Sequence, residues 1–181
     1  MLLMIFLVSY RKDPNSGFKS RLFERGENGI TQYAYAFAGT EDWHDVINDA
    51  GQLVGSSKPY DLAVSNAQAL ANKLGPKNIT YVGHSLGGGL AIAAALYTGG
   101  NAITFNPAWL SQSTIDKYHL NTSNGNNQVN NYIIAGDPLD ASQKASQFNL
   151  SLTHIGTDHY QFSFLSLFIF GIPSCHSIHR F

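Results

Sequence analysis

One serine, Ser85, stands midway between Gly83 and Gly87 in the stretch YVGHSLGGGLAIAAAL (81–96). A serine hydroxyl attacks a carbonyl only when a base removes its proton, and it must also project clear of the fold. A sharp turn from strand into helix meets the second need, and it tolerates only very small residues two positions to either side. Gly83, His84, Ser85, Leu86 and Gly87 fit that G-x-S-x-G arrangement. The preceding NITYVG reads as a buried strand and the following GGLAIAAALYTG as a helix packed tightly on a sheet. The Leu86 N–H, at the start of that helix, then points at a developing oxyanion. The plainer alternative is a glycine-rich packing turn. His84 is adjacent but cannot be the base, because neighbouring side chains on a turn diverge. It is expected to pack beneath the turn.

A base needs an orienting acid, expected downstream at the end of a strand. Asp137 follows YIIAG directly and Pro138 breaks the strand there. It would hold a histidine in the right tautomer and stabilise its cation. Asp140, three residues on, is the alternative, and either aspartate can also be read as a turn or helix-cap residue. The histidines after Asp137 are His154, His159, His176 and His179. The chain order serine, acid, histidine favours one on a loop after the last strand. His176 fits best, because it follows the apolar run FSFLSLFIFGI and a Gly/Pro break; His179, His159 and His154 stay open. A second oxyanion donor is expected from AFAGT, where Thr40 offers its backbone N–H, a role compatible with a helix N-cap.

These residues need a scaffold. SRLFER and ITQYAYAFAG flank the turn signal GENG, so residues 19–39 read as a strand pair. TEDWHDVINDAGQLVG carries its acids early and glycine late, which predicts a helix over about 41–53. In 60–75, Ala67, Leu70, Ala71 and Leu74 recur at helical spacing, and Gly75 with Pro76 ends the element. NAITFN (101–106) is a strand stopped by Pro107, NTSNGNNQVNN an Asn-rich loop, and YIIAG a further strand. Strands alternating with helices, with continuous apolar strands, predict an α/β fold: a mostly parallel central sheet with helices on both faces.

Composition narrows the functional classes. The chain has 181 residues, 44% hydrophobic, which predicts one compact domain over 1–181. Eleven Lys and Arg against twelve Asp and Glu give a net charge of −1, which speaks against nucleic-acid binding. The single cysteine, Cys175, excludes an internal disulfide and a thiolate-rich zinc site. No metal or organic cofactor is expected. MLLMIFLV (1–8) reads as a buried strand or an irregular start to the chain rather than a signal peptide, lacking a basic leader and a small-residue exit. The apolar run 162–172 has about half the length needed to span a bilayer, so no transmembrane helix is expected. That run reads first as core; the other reading is an acyl-chain groove or transient contact with a membrane surface.

Together, AFAGTEDWHDVINDA, YVGHSLGGGLA, AITFNPA and YIIAGDPLD resemble the class 3 lipases, the fungal-type triacylglycerol lipases and their bacterial phospholipase A1-like relatives. The matching pieces run in the family's order over roughly 17–140. The resemblance implies the α/β-hydrolase fold, Ser85 as nucleophile, Asp137 as acid, and Thr40 with Leu86 as oxyanion hole, with His176 as base. It implies cofactor-free cleavage of a lipid or other carboxylic ester through an acyl-enzyme. Some bacterial relatives are effectors delivered into rival cells, so a secreted or delivered protein is one expectation. The rival readings are a short-chain esterase, thioesterase or acyltransferase on the same fold, a non-catalytic binding module, and a membrane-active protein using its apolar runs.

Overall fold

Residues 5–27, 29–39, 57–146 and 151–161 are described by the structure, a computed structural model. Within the described residues, the second half of the apolar run near the start opens a strand, β1 (Ile5–Lys12), antiparallel to β2 (Lys19–Glu27). The expected strand pair around GENG is present: β2 turns back into β3 (Ile30–Phe37) in antiparallel register. The helix expected at 41–53 lies outside the described residues.

From β3 onward the sheet is parallel. Helix α1 (Ser57–Leu74) leads through a short 3-10 turn (Pro76–Asn78) into β4 (Ile79–His84), which pairs with β3. Helix α2 (Leu86–Thr98) follows at once, and Gly99 closes it in the left-handed conformation at φ 75°. β5 (Asn101–Phe105) then pairs with β4. Beyond it come the short strand β6 (Leu110–Ser111) and helices α3 (Gln112–Lys117) and α4 (Gly125–Gln128), then β7 (Val129–Ile134), which pairs with β5. Helix α5 (Pro138–Ser146) and β8 (Leu152–Thr153), partner of β6, precede the last described strand, β9 (Thr157–Gln161). The main sheet has seven strands in the order β1-β2-β3-β4-β5-β7-β9. Its five strands from β3 to β9 are parallel, so the expected mostly parallel central sheet forms.

The pleat decides which side chains reach the core. Ile79 and Tyr81 of β4, Ala102 of β5 and Val129 of β7 are fully buried toward α1 and α2. Helix α2 is buried along almost its whole length, as its alanine-rich, all-apolar sequence requires. Ala67 and Ala71 of α1 are buried, and Leu70 and Leu74 pack against the same core from its margin. On the opposite face Ile103, Phe105, Tyr132 and Ile134 stay between 36% and 48% exposed, with the Phe105 and Tyr132 rings stacked.

One expectation about β7 changes, and a neighbouring strand appears that the sequence did not announce. The Asn-rich stretch contains α4 and the start of β7, so Asn130 and Asn131 belong to a strand rather than a loop. Asn131 is fully buried there because its amide is satisfied. Oδ1 accepts the Thr104 hydroxyl at 2.6 Å, while Nδ2 donates to the Ile155 carbonyl and Asp158 Oδ1, both at 3.0 Å. β9, a polar sequence with no strand alternation, pairs in parallel along β7.

Candidate active site

Ser85 occupies the single residue between β4 and α2, at φ 54° and ψ −125°. A non-glycine residue held there stores about 1–3 kcal/mol of backbone strain, which the surroundings must offset. They do so through four main-chain hydrogen bonds. The Ser85 N–H donates to the Phe105 carbonyl at 3.1 Å, and the Ser85 carbonyl accepts Gly88 N–H at 2.9 Å, Gly89 N–H at 3.2 Å and Ala108 N–H at 2.9 Å. The corner is thereby fastened to its own helix and to the chain leaving β5.

The flanking glycines are sterically required. A Cβ on Gly83 would stand 2.0 Å from the Gly87 carbonyl oxygen, and one on Gly87 would stand 2.5 Å from the Phe37 carbonyl oxygen. The next two glycines admit neighbours as closely: a Cβ would meet Pro107 Cβ at 2.8 Å from Gly88 and Tyr60 Oη at 2.7 Å from Gly89. The G-x-S-x-G-G-G sequence is therefore the imprint of three segments converging on one corner.

Of the expected oxyanion donors, Leu86 is described at the corner. Leu86 is the first residue of α2, so its N–H has no partner inside the helix. Thr40 lies outside the described residues, but its neighbour Gly39 is described beside the corner. A Cβ on Gly39 would lie 3.6 Å from Ser85 Cβ and 2.9 Å from the His84 carbonyl oxygen. His84 departs from expectation. It is exposed rather than packed beneath the turn, because the β4 pleat sends Ile79, Tyr81 and Gly83 inward and His84 to the opposite face.

Asp137 sits three residues past β7, half-buried, at the N-terminus of α5. Its Oδ1 accepts the Leu139 and Asp140 backbone N–H groups at 3.0 and 3.1 Å, and its Oδ2 accepts Asn106 Nδ2 at 3.0 Å. Three donors on one carboxylate fix its orientation. The helix-cap reading and the acid reading therefore coexist. Asp140 is placed differently: it is buried, and its Oδ2 is taken by Lys144 Nζ at 2.7 Å.

Two of the candidate histidines are engaged elsewhere. His154 Nε2 lies 2.9 Å from Asp158 Oδ1, with its ring edge-on to Trp109. His159, in β9, lies 3.0 Å from Asn130 Oδ1 and stacks on Tyr132. His176 and His179 lie outside the described residues.

The sequence reading missed the chain between β5 and β6. Asn106 is buried, carries a positive φ of 40°, and bonds Asp137. Gln143 of α5, also buried, accepts the Trp109 N–H at 2.6 Å and donates to the Pro107 carbonyl at 3.2 Å. The one local signal was an amide residue, tolerant of left-handed backbone, placed between an apolar strand and a proline.

A mostly parallel sheet whose middle strand turns sharply through a serine into a glycine-led helix defines an α/β-hydrolase fold. The Tle-like phospholipase domain matches residues 5–163, and the chain belongs to that phospholipase-like family. The extracellular phospholipase A1 of Serratia liquefaciens is 40% identical over 106 residues, covering 58% of this chain and 32% of that protein. The chain thus spans about a third of that relative's length. Among solved structures, lipase II from Rhizopus niveus superposes with a TM-score of 0.60 at 15% identity, over 86% of this chain and 66% of the lipase. Lip2 lipase from Yarrowia lipolytica gives 0.55 at 16% identity, over 86% and 65%. At those identities the two lipases establish the shared fold.

Proposed function

We propose that this protein is a serine hydrolase that cleaves a fatty-acyl ester of a glycerophospholipid, as a phospholipase A1 does. The observation that carries the reading is the strained, glycine-flanked corner at Ser85 in a chain of the phospholipase-like family. The Serratia relative's activity points to the substrate class.

In this mechanism His176 removes the Ser85 hydroxyl proton as Oγ attacks the ester carbonyl, and Asp137 orients and stabilises the imidazolium. The tetrahedral oxyanion rests on the Leu86 and Thr40 N–H groups. Collapse breaks the ester C–O bond, and the lysophospholipid alkoxide leaves with the proton from His176. Water, deprotonated by the same imidazole, then attacks the acyl-enzyme and releases the fatty acid and the Ser85 hydroxyl. The α2 N-terminus and the Ser85–Ala108 hydrogen bond support a corner that does not have to reorganise during these steps. The protein is proposed to act outside the cell that makes it, in transient contact with a membrane surface, as the relative's extracellular character suggests.

Phosphatidylcholine vesicles labelled separately at the two acyl positions test the reading. Release of labelled fatty acid from the sn-1 position, absent in Ser85→Ala, is the expected result. Turnover of soluble short esters or thioesters with none of the vesicle lipid would instead favour the short-chain esterase or thioesterase alternatives.

A further inference from the structure

Asn106 faces the Asp137 carboxylate on one side and the main chain of β7 on the other. Its Oδ1 accepts the Ile134 N–H at 2.8 Å, and its Nδ2 lies 3.0 Å from Asp137 Oδ2. A backbone N–H can only donate, so the atom facing Ile134 must be the oxygen and the NH2 must face the carboxylate. The Asn106 N–H is itself tied to the Tyr132 carbonyl at 3.0 Å. The side chain is therefore locked at both ends, buried, on a backbone at φ 40° that few residues other than asparagine, aspartate and glycine adopt.

The same segment reaches the nucleophile. Two residues after Asn106, the Ala108 N–H donates to the Ser85 carbonyl at 2.9 Å, and Gln143 clamps Pro107 and Trp109 to α5. The chain 106–109 is thus a short strap joining the Ser85 corner to the helix that Asp137 caps.

We propose that Asn106 is a positioning residue for catalysis: its amide donates to Asp137 Oδ2 and fixes which lone pair the acid offers to the histidine. The proposal rests on the reading of Asp137 as the catalytic acid. The two backbone N–H groups hold only Oδ1, and a carboxylate held at one oxygen can still swing about the Cβ–Cγ bond. The Asn106 bond to Oδ2 removes that freedom. The remaining lone pair of Oδ2 is then left for an imidazole Nδ1–H. The charged pair on the same helix is Asp140 with Lys144 at 2.7 Å, and the Lys144 ammonium also donates to the Tyr160 hydroxyl at 3.2 Å.

Two substitutions separate this role from plain support of the fold. Asn106→Gly keeps the left-handed backbone and deletes the amide. Asn106→Asp keeps shape and backbone, and its inner oxygen still accepts the Ile134 N–H, but its outer oxygen meets Asp137 Oδ2. Two carboxylates at that distance share a proton, and the shared proton restores a donor only below the raised pKa of the pair. On a soluble p-nitrophenyl butyrate substrate, Asn106→Gly should lower kcat about tenfold to a hundredfold with KM within about twofold. Asn106→Asp should lose more activity as pH rises, so that the wild-type to variant ratio of kcat/KM grows at least about tenfold from pH 6 to pH 9. Melting curves recorded for both confirm that folded protein is compared. Asp137→Asn is measured beside them. If it loses activity while both Asn106 variants match wild type, or while Asn106→Asp is impaired by one constant factor at every pH, the positioning role is overturned and the acid reading stands. If Asp137→Asn keeps wild-type turnover, the acid reading falls and the role of Asn106 falls with it.

Discussion

Gly83 and Gly87 approach each other so closely that a methyl group on Gly83 would stand 2.0 Å from the Gly87 carbonyl oxygen. That distance ties a sequence pattern to the position of a hydroxyl. Any Cβ at Gly83 forces the first turn of α2 away from β4, and Ser85 moves with it.

Gly83→Ala should therefore cost about 2–3 kcal/mol in stability and remove most catalysis. Gly26→Ala serves as the comparison, since a Cβ there meets nothing within 4 Å. Thermal melts and ester turnover of both variants check this. A Gly83→Ala protein with wild-type melting and turnover would contradict the packing account.

The two aspartates of GDPLD should separate cleanly. Asp137→Asn is expected to lower kcat by about 10³–10⁴ through the wrong histidine tautomer, with the protein still folded. Asp140→Asn, whose partner is Lys144, should stay within about threefold of wild type, because it breaks one pair whose lysine end is half-exposed. Turnover and circular dichroism of the two variants decide it, and the opposite ranking would move the acid to Asp140.

Among the histidines, His176→Ala should lose at least about a hundredfold more kcat/KM than His154→Ala, His159→Ala or His179→Ala. His154 and His159 already have partners in Asp158 and Asn130. Steady-state kinetics of the four variants check the ranking, and a larger loss at any other histidine reassigns the base.

Alkaline pH should unfold the protein partly through Tyr60. Burial pushes its phenol well above the ordinary value near 10, and its hydroxyl is held against the start of α2 at Gly89. Above pH 10 the unfolded chain has lost this proton and the folded chain has kept it. The unfolded state then binds fewer protons, so stability falls as pH rises further. Tyr60→Phe should move the alkaline unfolding midpoint upward, leaving the part due to Tyr35 and Tyr81, whose phenols burial also raises. Fluorescence-monitored unfolding between pH 9 and 12 measures it, and identical curves for the two proteins would contradict the prediction.

What the sequence revealed follows how local each constraint is. The corner at Ser85 was legible because glycine spacing records a backbone clash directly, and the position of Asp137 after a strand because a proline follows it. α1 was legible from apolar periodicity, α2 from its unbroken apolar run after the turn, and β4 and β5 as short runs bounded by turn residues or proline. β9 was not, since TDHYQ has no strand pattern and becomes a strand only by pairing with β7. Asn130 and Asn131 misled because asparagine is poor in strands, and only the tertiary partners Thr104, Ile155 and Asp158 make burial of Asn131 favourable. His84 was misplaced because the pleat, not the turn, sets its direction. Asn106 went unseen for a related reason: its hydrogen bond to Asp137 spans 31 residues of chain.

The central claim is that the Ser85 hydroxyl is an activated nucleophile, and a fluorophosphonate probe reads this without any choice of substrate. Intact protein treated with the probe and digested for mass spectrometry should carry one adduct, on the peptide containing Ser85, and Ser85→Ala should carry none. Labelling at another residue, or unlabelled folded wild-type protein, would contradict the account.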